Sequence, residues 1–369
     1  MALNRVSKVV VALISTAAIT VPGVAGCGTD DNLDAAEIPA GEEACAGKDS
    51  LTGEGSTAQQ IAIALFNQAW GRMCPHKNVS YNPTGSAAGR EQFVAGRVDF
   101  AGSDSPLSRS QADSAVKRCG GNPAWHLPLV FAPVAVIYHL DGVNPLVVNA
   151  DVLAKIFTGV ITKWNDPQIA ALNHGVALPD TEIAPIYRSD SSGTTDNFQQ
   201  YLAAAAPQSW TKGAGTEFQG GAGEGAQKSA GVVQAVKTTP GGIAYVEKSS
   251  AEPAGIPYAQ IDGGGGPVAL TDDAARNAID NAKYVGTGND LKLDLDSIYG
   301  TKEPGAYPLV LATYEIVCSK SADPATGKAV KAFLATAAEY GQERLSAAGY
   351  VPLPDVFRER LIAAINALD

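Results

Sequence analysis

The 369-residue sequence predicts an α/β fold with two lobes, and three observations lead to that prediction. Removal of an N-terminal export signal leaves 343 residues, which is more than one hydrophobic core usually serves. Residues 50–101 alternate strand-like and helix-like patterns, which is typical of a parallel sheet covered by helices. Two long apolar runs, 127–138 and 307–317, bracket the middle of the chain. They predict a discontinuous first lobe that two crossing strands join to the second.

The N-terminus has the pattern of a secretory signal. Arg5 and Lys8 precede a 13-residue apolar core at 9–21, which is too short to span a bilayer as a helix. The sequence V-A-G-C at 24–27 is similar to a bacterial lipobox, in which Cys27 becomes the lipidated first residue of the mature chain. The alternative is a plain signal peptide with a chance cysteine. We therefore expect an exported protein that is lipid-anchored to the outer face of the cell membrane, with residues 1–26 as its signal.

Residues 27–47 are acidic and small, and we expect them to form a flexible tether. Because residues 1–26 include two basic and no acidic side chains, their removal takes the net charge from −11 to −13. An acidic chain is a poor partner for nucleic acid or for an anionic membrane surface. If the protein binds an anion, a local site must overcome the overall field.

Four cysteines remain after export: Cys45, Cys74, Cys119 and Cys318. Their even number and the oxidising compartment favour two disulfides, and three pairings are possible. Cys45–Cys74 with Cys119–Cys318 is favoured, because the first pair brackets one strand–helix unit. A zinc site is the alternative, but no C-x-x-C or H-x-x-x-H spacing supports it.

The elements can be assigned in order along the chain. The first unit reads strand, helix, strand, helix, strand, at 50–53, 57–73, 79–81, 89–95 and 98–101. After the first apolar run, the pattern predicts helices at 151–157 and 167–173, a helix that begins after Arg188, a helix at 232–236, a strand at 242–246, and closing helices at 328–345 and 354–367. The glycine-dense stretch 211–231 is left as a long loop. Lobe I is then predicted at 48–132 and 312–369, and lobe II at 133–311.

Three turns of this unit share one chemistry. They are G-E-G-S-T-A at 53–58, T-G-S-A-A-G at 84–89 and A-G-S-D-S-P-L at 101–107, and each follows a predicted strand. In a parallel sheet these turns lie at one edge, the carboxyl ends of the strands, where ligands bind. Glycine-serine turns are common, so each turn alone is weak evidence.

A fourth turn, at 188–195, adds a positive charge. A strand-like approach ends at Arg188, a hydroxyl-rich turn follows, and a helical pattern begins. Unpaired N–H groups and the helix dipole attract anions at such a helix start. Ser192 and Thr194 add hydroxyl donors, Gly193 permits close approach, and Arg188 offers a planar fork. An ordinary helix cap explains the serines alone; four such turns together predict an oxyanion cleft.

The four turns also match a known family. The motifs G-x-G-x-T, T-G-S-x-x-G, V-D-F-x-G-S-D-x-P-L and R-x-D-x-S-G-T-T resemble those of the PstS family, the phosphate-binding proteins of high-affinity phosphate ABC transporters. The likeness continues through 154–165, 239–247 and 307 to the end, and it is strongest to actinobacterial lipoprotein members. The resemblance implies a bilobal type II clamshell of the periplasmic binding proteins, with mixed sheets. It implies capture of inorganic phosphate for a membrane permease and its ATPase subunits, with no cofactor and no metal.

The resemblance also implies a ligand set. Its phosphate-binding residues fall on Thr57, Ala58, Ser86, Asp104, Arg188, Ser192, Gly193 and Thr194, with Ser56 and Asp190 as supporting residues. Ala58 and Gly193 take part through their backbone N–H groups. Family members often have phenylalanine at residue 58, and alanine retains the N–H.

Asp104 is the residue whose charge requires an explanation, because a carboxylate repels an anion. An ionised carboxylate only accepts hydrogen bonds, so it suits a ligand that brings a proton. Phosphate has such a proton near neutral pH and sulfate has none, so Asp104 is expected to select phosphate. The alternative is that Asp104 caps the helix that starts near Ser108.

Two other functions remain as alternatives. The same scaffold could select another oxyanion, such as sulfate or molybdate. A phosphatase could use Ser192 or Thr57 as nucleophile, but the four histidines lie outside all four turns and no carboxylate cluster has metal spacing. We therefore expect a binding protein and not an enzyme.

Overall fold

A computed structural model of the chain describes residues 42–280 and 282–369. The predicted signal, the lipidation site at Cys27 and most of the predicted tether lie outside the described residues. Among the described residues, no helix has the length and apolar character that crossing a membrane requires.

Thirteen strands are present in the described residues. In chain order they are β1 (Ser50–Gly55), β2 (Asn78–Asn82), β3 (Phe100–Ser103), β4 (Ala124–Tyr138), β5 (Val147–Val148), β6 (Ala184–Arg188), β7 (Glu224–Ala226), β8 (Gly242–Glu247), β9 (Gln260–Asp262), β10 (Pro267–Val268), β11 (Lys283–Tyr284), β12 (Leu293–Asp294) and β13 (Val310–Cys318).

The same part of the chain forms twelve α-helices and three short 3-10 helices. The α-helices are α1 (Gln60–Met73), α2 (Ser86–Val94), α3 (Arg109–Arg118), α4 (Ala150–Phe157), α5 (Pro167–Ala170), α6 (Gly193–Ala205), α7 (Lys228–Thr238), α8 (Lys248–Ala251), α9 (Asp272–Ile279), α10 (Asp296–Tyr299), α11 (Pro324–Glu339) and α12 (Asp355–Asn366). The 3-10 helices span Glu42–Cys45, Gln342–Arg344 and Ser346–Ala348.

Eight strands form one mixed sheet in the order β2-β1-β3-β13-β4-β8-β6-β7. The first three strands run parallel to one another, and so do the last three. Between them, β13 and β4 run antiparallel to their neighbours. The sheet therefore contains two parallel halves, each with helical crossovers, and the predicted α/β class with two lobes is confirmed.

The long strand β4 links the two halves. Its residues 124–133 pair with β13, and its residues 134–138 pair with β8. Both β4 and β13 are buried almost throughout, which explains why their sequences are mainly apolar and show no alternation of apolar and polar residues. Strand β4 begins three residues before the predicted run and ends where predicted, at Tyr138, whereas β13 begins three residues after the predicted start and ends one residue after the predicted end.

Local signals set the helix ends. Ser108 caps α3 with a full capping box: its hydroxyl accepts from the Gln111 N–H, and its own N–H donates to the Gln111 side-chain oxygen. Asp323 accepts hydrogen bonds from two backbone N–H groups and starts α11 at Pro324, before the predicted residue 328. Helix α5 ends at Ala170, before the predicted residue 173. The loop prediction for 211–231 missed β7, which pairs in parallel with β6.

The segment at 42–47 is attached to the rest of the fold by covalent and hydrogen bonds. Cys45 forms a disulfide with Cys74, and Cys119 forms one with Cys318, which is the pairing that the sequence favoured. Ala44 also accepts a hydrogen bond from the Trp70 indole. The flexible-tether prediction is therefore wrong for residues 42–47, because these contacts hold the segment against α1 and α11.

Candidate anion-binding site

The predicted turns come together where the two parallel halves of the sheet meet. Strands β1, β2 and β3 direct their carboxyl ends, with Ser56, Ser86 and Asp104, to one edge. Strand β6 directs Arg188 and the start of α6 to the same place. A β-carbon added to Gly193 would lie 2.3 Å from Ser86 Oγ and 2.4 Å from Asp104 Oδ2, so turns from both halves are in direct contact.

The Asp104 carboxylate is 1% exposed and lies at the centre of this contact. Its Oδ2 atom accepts hydrogen bonds from Ser56 Oγ at 2.7 Å and from Ser86 Oγ at 3.0 Å. Its Oδ1 atom accepts one from Thr313 Oγ1 at 2.7 Å. An ionised carboxylate has about four acceptor positions, so these three hydroxyls leave about one for a further donor.

The charge of Asp104 depends on pH in an accessible range. Burial raises the pKa of Asp104 to about 6, while hydrogen bonds from Thr313, Ser56 and Ser86 lower it and the charge of Glu247 raises it. The carboxyl group is therefore mostly ionised at pH 7 and mostly protonated at pH 5. The cap of α3 is Ser108, so the helix-cap alternative for Asp104 is excluded.

The first turn also fixes Thr57 and Ala58. In the structure the Ala58 N–H donates to Ser56 Oγ at 3.0 Å, and Tyr350 donates to the Ala58 carbonyl at 2.8 Å. The Ala58 N–H, predicted to face the ligand, therefore supports the Ser56 hydroxyl here. Thr57 Oγ1 faces the other half of the sheet and lies 3.0 Å from Ser229 Oγ.

Helix α6 presents its N-terminus to the Asp104 turn. Ser192 is the N-cap, and its hydroxyl accepts a hydrogen bond from the Thr195 N–H. The Asp196 N–H donates the first helical hydrogen bond of α6, to the Ser192 carbonyl. The N–H groups of Gly193 and Thr194 lie before it and therefore have no carbonyl partner inside the helix. They are donors that an anion at this helix end can use.

Further contacts brace the helix start against the Asp104 turn. The Asn197 amide donates to the Asp104 carbonyl at 2.8 Å and to the Gly193 carbonyl at 2.8 Å. The Ser105 hydroxyl donates to the Asp196 carboxylate. These side chains, which we did not predict to face the ligand, therefore fix the distance between the start of α6 and the Asp104 turn.

Arg188 supplies the cation. Its guanidinium is 3% exposed, and its Nε donates to Asp190 Oδ1 at 2.8 Å while Nη2 donates to Asp190 Oδ2. Burial lowers the pKa of Arg188, but Asp190 and Glu247 raise it above its ordinary value. Burial raises the pKa of Asp190, and Arg188 outweighs it and holds that pKa below its ordinary value. The pair is charged, and the fork of the arginine is oriented.

Ser229 is a site residue that the sequence reasoning missed. It is 4% exposed, and its hydroxyl lies 3.0 Å from Thr57 Oγ1 and 3.4 Å from Arg188 Nη1. It stands in the first turn of α7, directly after β7, within the stretch left as a loop. A strand assigned to the residues just before 227 would have placed Ser229 at the same sheet edge as Arg188.

Glu247 was also missed. It ends β8, which runs parallel to β6, so its carboxylate reaches the same edge as Arg188. It is fully buried, its Oε1 accepts a hydrogen bond from Thr194, and its Oε2 has no hydrogen-bond partner among the described residues. The Thr194 hydroxyl, predicted to face the ligand, therefore donates to Glu247 in this structure.

Thr313, the third donor to Asp104, comes from β13 and had no sequence signal, because it lies within an apolar run. No group of three or more histidine, cysteine or acidic side chains in the described part of the chain is arranged to hold a metal ion. The arrangement offers neutral hydroxyls, helix N–H groups and one arginine fork beside two buried carboxylates, Asp104 and Glu247.

Comparison with known proteins gives consistent results. The profile of the PBP superfamily domain matches residues 40–338. The phosphate-binding protein PstS 3 of Mycobacterium tuberculosis is 47% identical over 374 residues, which cover 100% of each chain. The phosphate-binding protein PstS 2 of the same organism is 48% identical over 347 residues, with 93% of this chain and 94% of the relative covered.

Solved structures share the fold at much lower identity. A putative phosphate ABC transporter substrate-binding protein with bound phosphate from Clostridium perfringens superposes with a TM-score of 0.60 at 16% identity. That match covers 83% of this chain and 100% of the other.

Proposed function

Because the chain belongs to the PstS family of phosphate-binding proteins within the PBP superfamily, we propose that it captures inorganic phosphate outside the cytoplasm for an ABC importer. The observation that carries this proposal is the Asp104 carboxylate, buried among three hydroxyl donors with about one acceptor position left. Such a group favours an anion that brings its own proton.

The selectivity follows from what each oxyanion can donate. Monobasic and dibasic phosphate can give a hydrogen bond to the ionised carboxylate, whereas sulfate meets it with an unprotonated oxygen. A buried acceptor that faces a like charge without a proton costs free energy, because neither water nor another donor can replace the missing hydrogen. This contrast favours phosphate over the alternative oxyanions sulfate and molybdate.

The remaining donors are proposed to neutralise and orient the ion. Arg188, already oriented by Asp190, provides two parallel N–H groups for a charge-assisted contact. The full set proposed to contact phosphate is Thr57, Ala58, Ser86, Asp104, Arg188, Ser192, Gly193 and Thr194, with Ser56 and Asp190 in support. Donation to the ion by Ser86, Ala58 and Thr194 requires their donors to turn away from Asp104, Ser56 and Glu247 respectively.

We assign the lobes as proposed from the sequence, with lobe I at 48–132 and 312–369 and lobe II at 133–311. The change of partner along β4, from β13 to β8 after Pro133, supports a boundary at this point. Hinge motion about the crossing strands is the family's usual way to admit and enclose a ligand.

Delivery is proposed to involve the permease and ATPase subunits of the importer, with the receptor held at the membrane by a lipid on Cys27. The V-A-G-C sequence at 24–27 and the acidic segment that follows support an anchored, exported protein. Mass spectrometry of the membrane fraction tests this directly. A diacylated peptide that begins at Cys27 is expected, and cleavage without lipid contradicts the anchor.

The experiment that tests the function is isothermal titration of the phosphate-depleted protein with phosphate, arsenate and sulfate. We expect saturable binding of phosphate and arsenate at one site and no binding of sulfate at equal concentration near pH 7.5. Incubation with a phosphomonoester in parallel tests the phosphatase alternative, and we expect no turnover. Equal binding of sulfate, or release of phosphate from the ester, contradicts the proposal.

A further inference from the structure

A further acidic side chain is buried behind the site and takes no part in the proposal above. Glu315 lies on β13, is fully buried, and neither of its carboxyl oxygens has a hydrogen-bond partner among the described residues. An ionised carboxylate in such a place lacks the donors that it needs. A neutral carboxylic acid is far less costly there and can itself donate.

The groups beside Glu315 include a buried acceptor that has no hydrogen-bond donor. Glu315 pairs across the sheet with Gly102 of β3. A β-carbon on Gly102 would lie 1.9 Å from Gln59 Nε2 and 2.5 Å from Tyr81 Oη, so these two groups fill the space beside the Glu315 carboxyl. Gln59 Oε1 is buried and also has no partner. The Gln59 side chain interacts with Glu315, so a proton on Glu315 can supply the donor that this acceptor lacks.

The orientation of Gln59 follows from Tyr81. The Tyr81 hydroxyl donates to the Ser56 carbonyl at 2.9 Å, so it can only accept from Gln59, whose Nε2 lies 3.2 Å away. Gln59 therefore turns its N–H side to Tyr81 and its carbonyl oxygen away from it. The chain of hydrogen bonds runs from Gln59 through Tyr81 to Ser56, whose own hydroxyl donates to Asp104.

The net shift in the pKa of Glu315 agrees with this assignment, although one of its causes acts in the other direction. Burial raises the pKa of Glu315 well above its ordinary value; the Gln59 amide lowers it and the Asp104 charge raises it again. Tyr81 faces the same space, and burial raises its pKa well above the ordinary value, so it is a neutral phenol that can donate to Ser56. On the other side, the β4 partner of Glu315 is Leu127, which has no charge.

We propose that Glu315 is a positioning residue for phosphate recognition, held as a neutral carboxylic acid that donates to Gln59 and so orders the Gln59–Tyr81–Ser56 chain behind Asp104. Because it is neutral, it adds no negative charge beside the carboxylate that accepts the ligand's proton. This inference rests on the proposed function, in which the ionised state of Asp104 selects phosphate.

The direct test is the charge of Glu315 in the purified protein. In protein labelled with ¹³C at the glutamate carboxyl carbon, we expect one glutamate signal to stay at the protonated position at pH 7 and to vanish in Glu315→Gln. If the variant does not fold, Glu247→Gln takes its place, and we expect the protonated signal to remain in that variant because Glu247 is the other fully buried glutamate described above. Ionised signals for all glutamates at pH 7 overturn the proposal.

The second test uses sulfate, which does not change its own charge between pH 5 and 9, as a reporter of Asp104. In the proposed site sulfate binds when Asp104 is protonated, so the midpoint of its pH dependence follows the pKa of Asp104. We expect Glu315→Gln to leave that midpoint within about 0.3 pH units, because no charge is removed. A shift to lower pH by more than about 0.5 units means that Glu315 was charged, and contradicts the proposal.

A third comparison tests the positioning role. Glu315→Leu leaves Gln59 Oε1 without a donor, and we expect phosphate affinity to fall about tenfold, whereas Glu315→Gln, which retains an N–H donor, recovers most of it. Equal loss in both variants contradicts donation to Gln59. Titration of the parent protein with phosphate separates the proposed function from the proposal for Glu315. An absence of phosphate binding contradicts the function, whereas the glutamate carboxyl signal still reports whether Glu315 is protonated.

Discussion

Replacement of Asp104 by asparagine tests the proposed selectivity most sharply, because it changes one charge and almost no volume. The asparagine amide can stand where the carboxylate stands and can donate to an anion. In the parent protein the carboxylate accepts from Ser56, Ser86 and Thr313. One of these hydroxyls must turn and accept when an amide N–H replaces the oxygen that it faced.

The magnitude follows from the hydrogen bonds gained and lost. A charge-assisted hydrogen bond contributes about 1.5–3 kcal/mol, so phosphate should bind Asp104→Asn roughly 10- to 150-fold more weakly. For sulfate, the substitution removes an unpaired like charge from the site and adds a hydrogen-bond donor, so sulfate should bind more tightly. Sites that require a ligand hydrogen reject analogues that lack it by about 10⁴–10⁵-fold. We expect the phosphate-to-sulfate ratio to fall by at least about a hundredfold.

The assay is isothermal titration of both variants with phosphate and with sulfate at pH 7.5, with circular dichroism to establish the fold. Asp190→Asn is the matched control: it also neutralises one carboxylate of the site, but one that pairs with Arg188. It should change both affinities in the same direction and leave their ratio nearly unchanged. If Asp104→Asn rejects sulfate as strongly as the parent does, the proton-reading role of Asp104 is wrong.

Three further outcomes are expected. Gly193→Ala places a methyl group 2.3 Å from Ser86 Oγ, so the free energy of phosphate binding measured by titration should weaken by about 1–3 kcal/mol. Gly231→Ala is the control, because the atoms nearest to its added methyl group lie at 3.8 Å, and it should leave the affinity unchanged. Equal effects of the two substitutions contradict the close contact at Gly193. Ser229→Ala removes the hydroxyl between Thr57 and Arg188, so phosphate affinity should fall up to about tenfold. Ser250→Ala should have no effect, because Ser250 lines the same cavity as Thr57 and Ser229 without a contact to Arg188 in the hydrogen bonds described above. An unchanged affinity in Ser229→Ala excludes Ser229 from the site. The raised pKa of Asp104 stabilises the ligand-free fold fully below pH 3.8, and that contribution is lost as pH rises through about 6. Denaturant unfolding should therefore show the parent losing about 2 kcal/mol relative to Asp104→Asn between pH 4 and pH 7, and parallel curves contradict the raised pKa.

Sequence reasoning placed the first half of the site well because local rules apply there. The turns at Ser56, Ser86 and Asp104 each follow a parallel strand, and parallel strands bring their carboxyl ends to one edge. The turn at Arg188 was found for the same reason, together with the helix that Ser192 caps. The two long apolar runs correctly predicted the buried central strands.

The missed residues depend on contacts that are distant in sequence. Thr313 reaches Asp104 across 209 residues from within an apolar strand, where a threonine gives no distinct signal. Ser229 depended on a three-residue strand hidden among glycines. Glu315 has no periodic pattern to mark it, since its burial beside Gln59 appears only when β13 pairs with β3.

The measurement that tests the central claim most directly is the affinity of the parent protein for sulfate as a function of pH. Asp104, with a pKa of about 6, must be protonated before it can donate to sulfate. We expect sulfate affinity to rise about tenfold for each unit that pH falls toward 6, to level off below that value, and to lose this dependence in Asp104→Asn. A sulfate affinity that stays constant from pH 8 to pH 5 contradicts the claim that one buried carboxylate recognises the proton of the ligand.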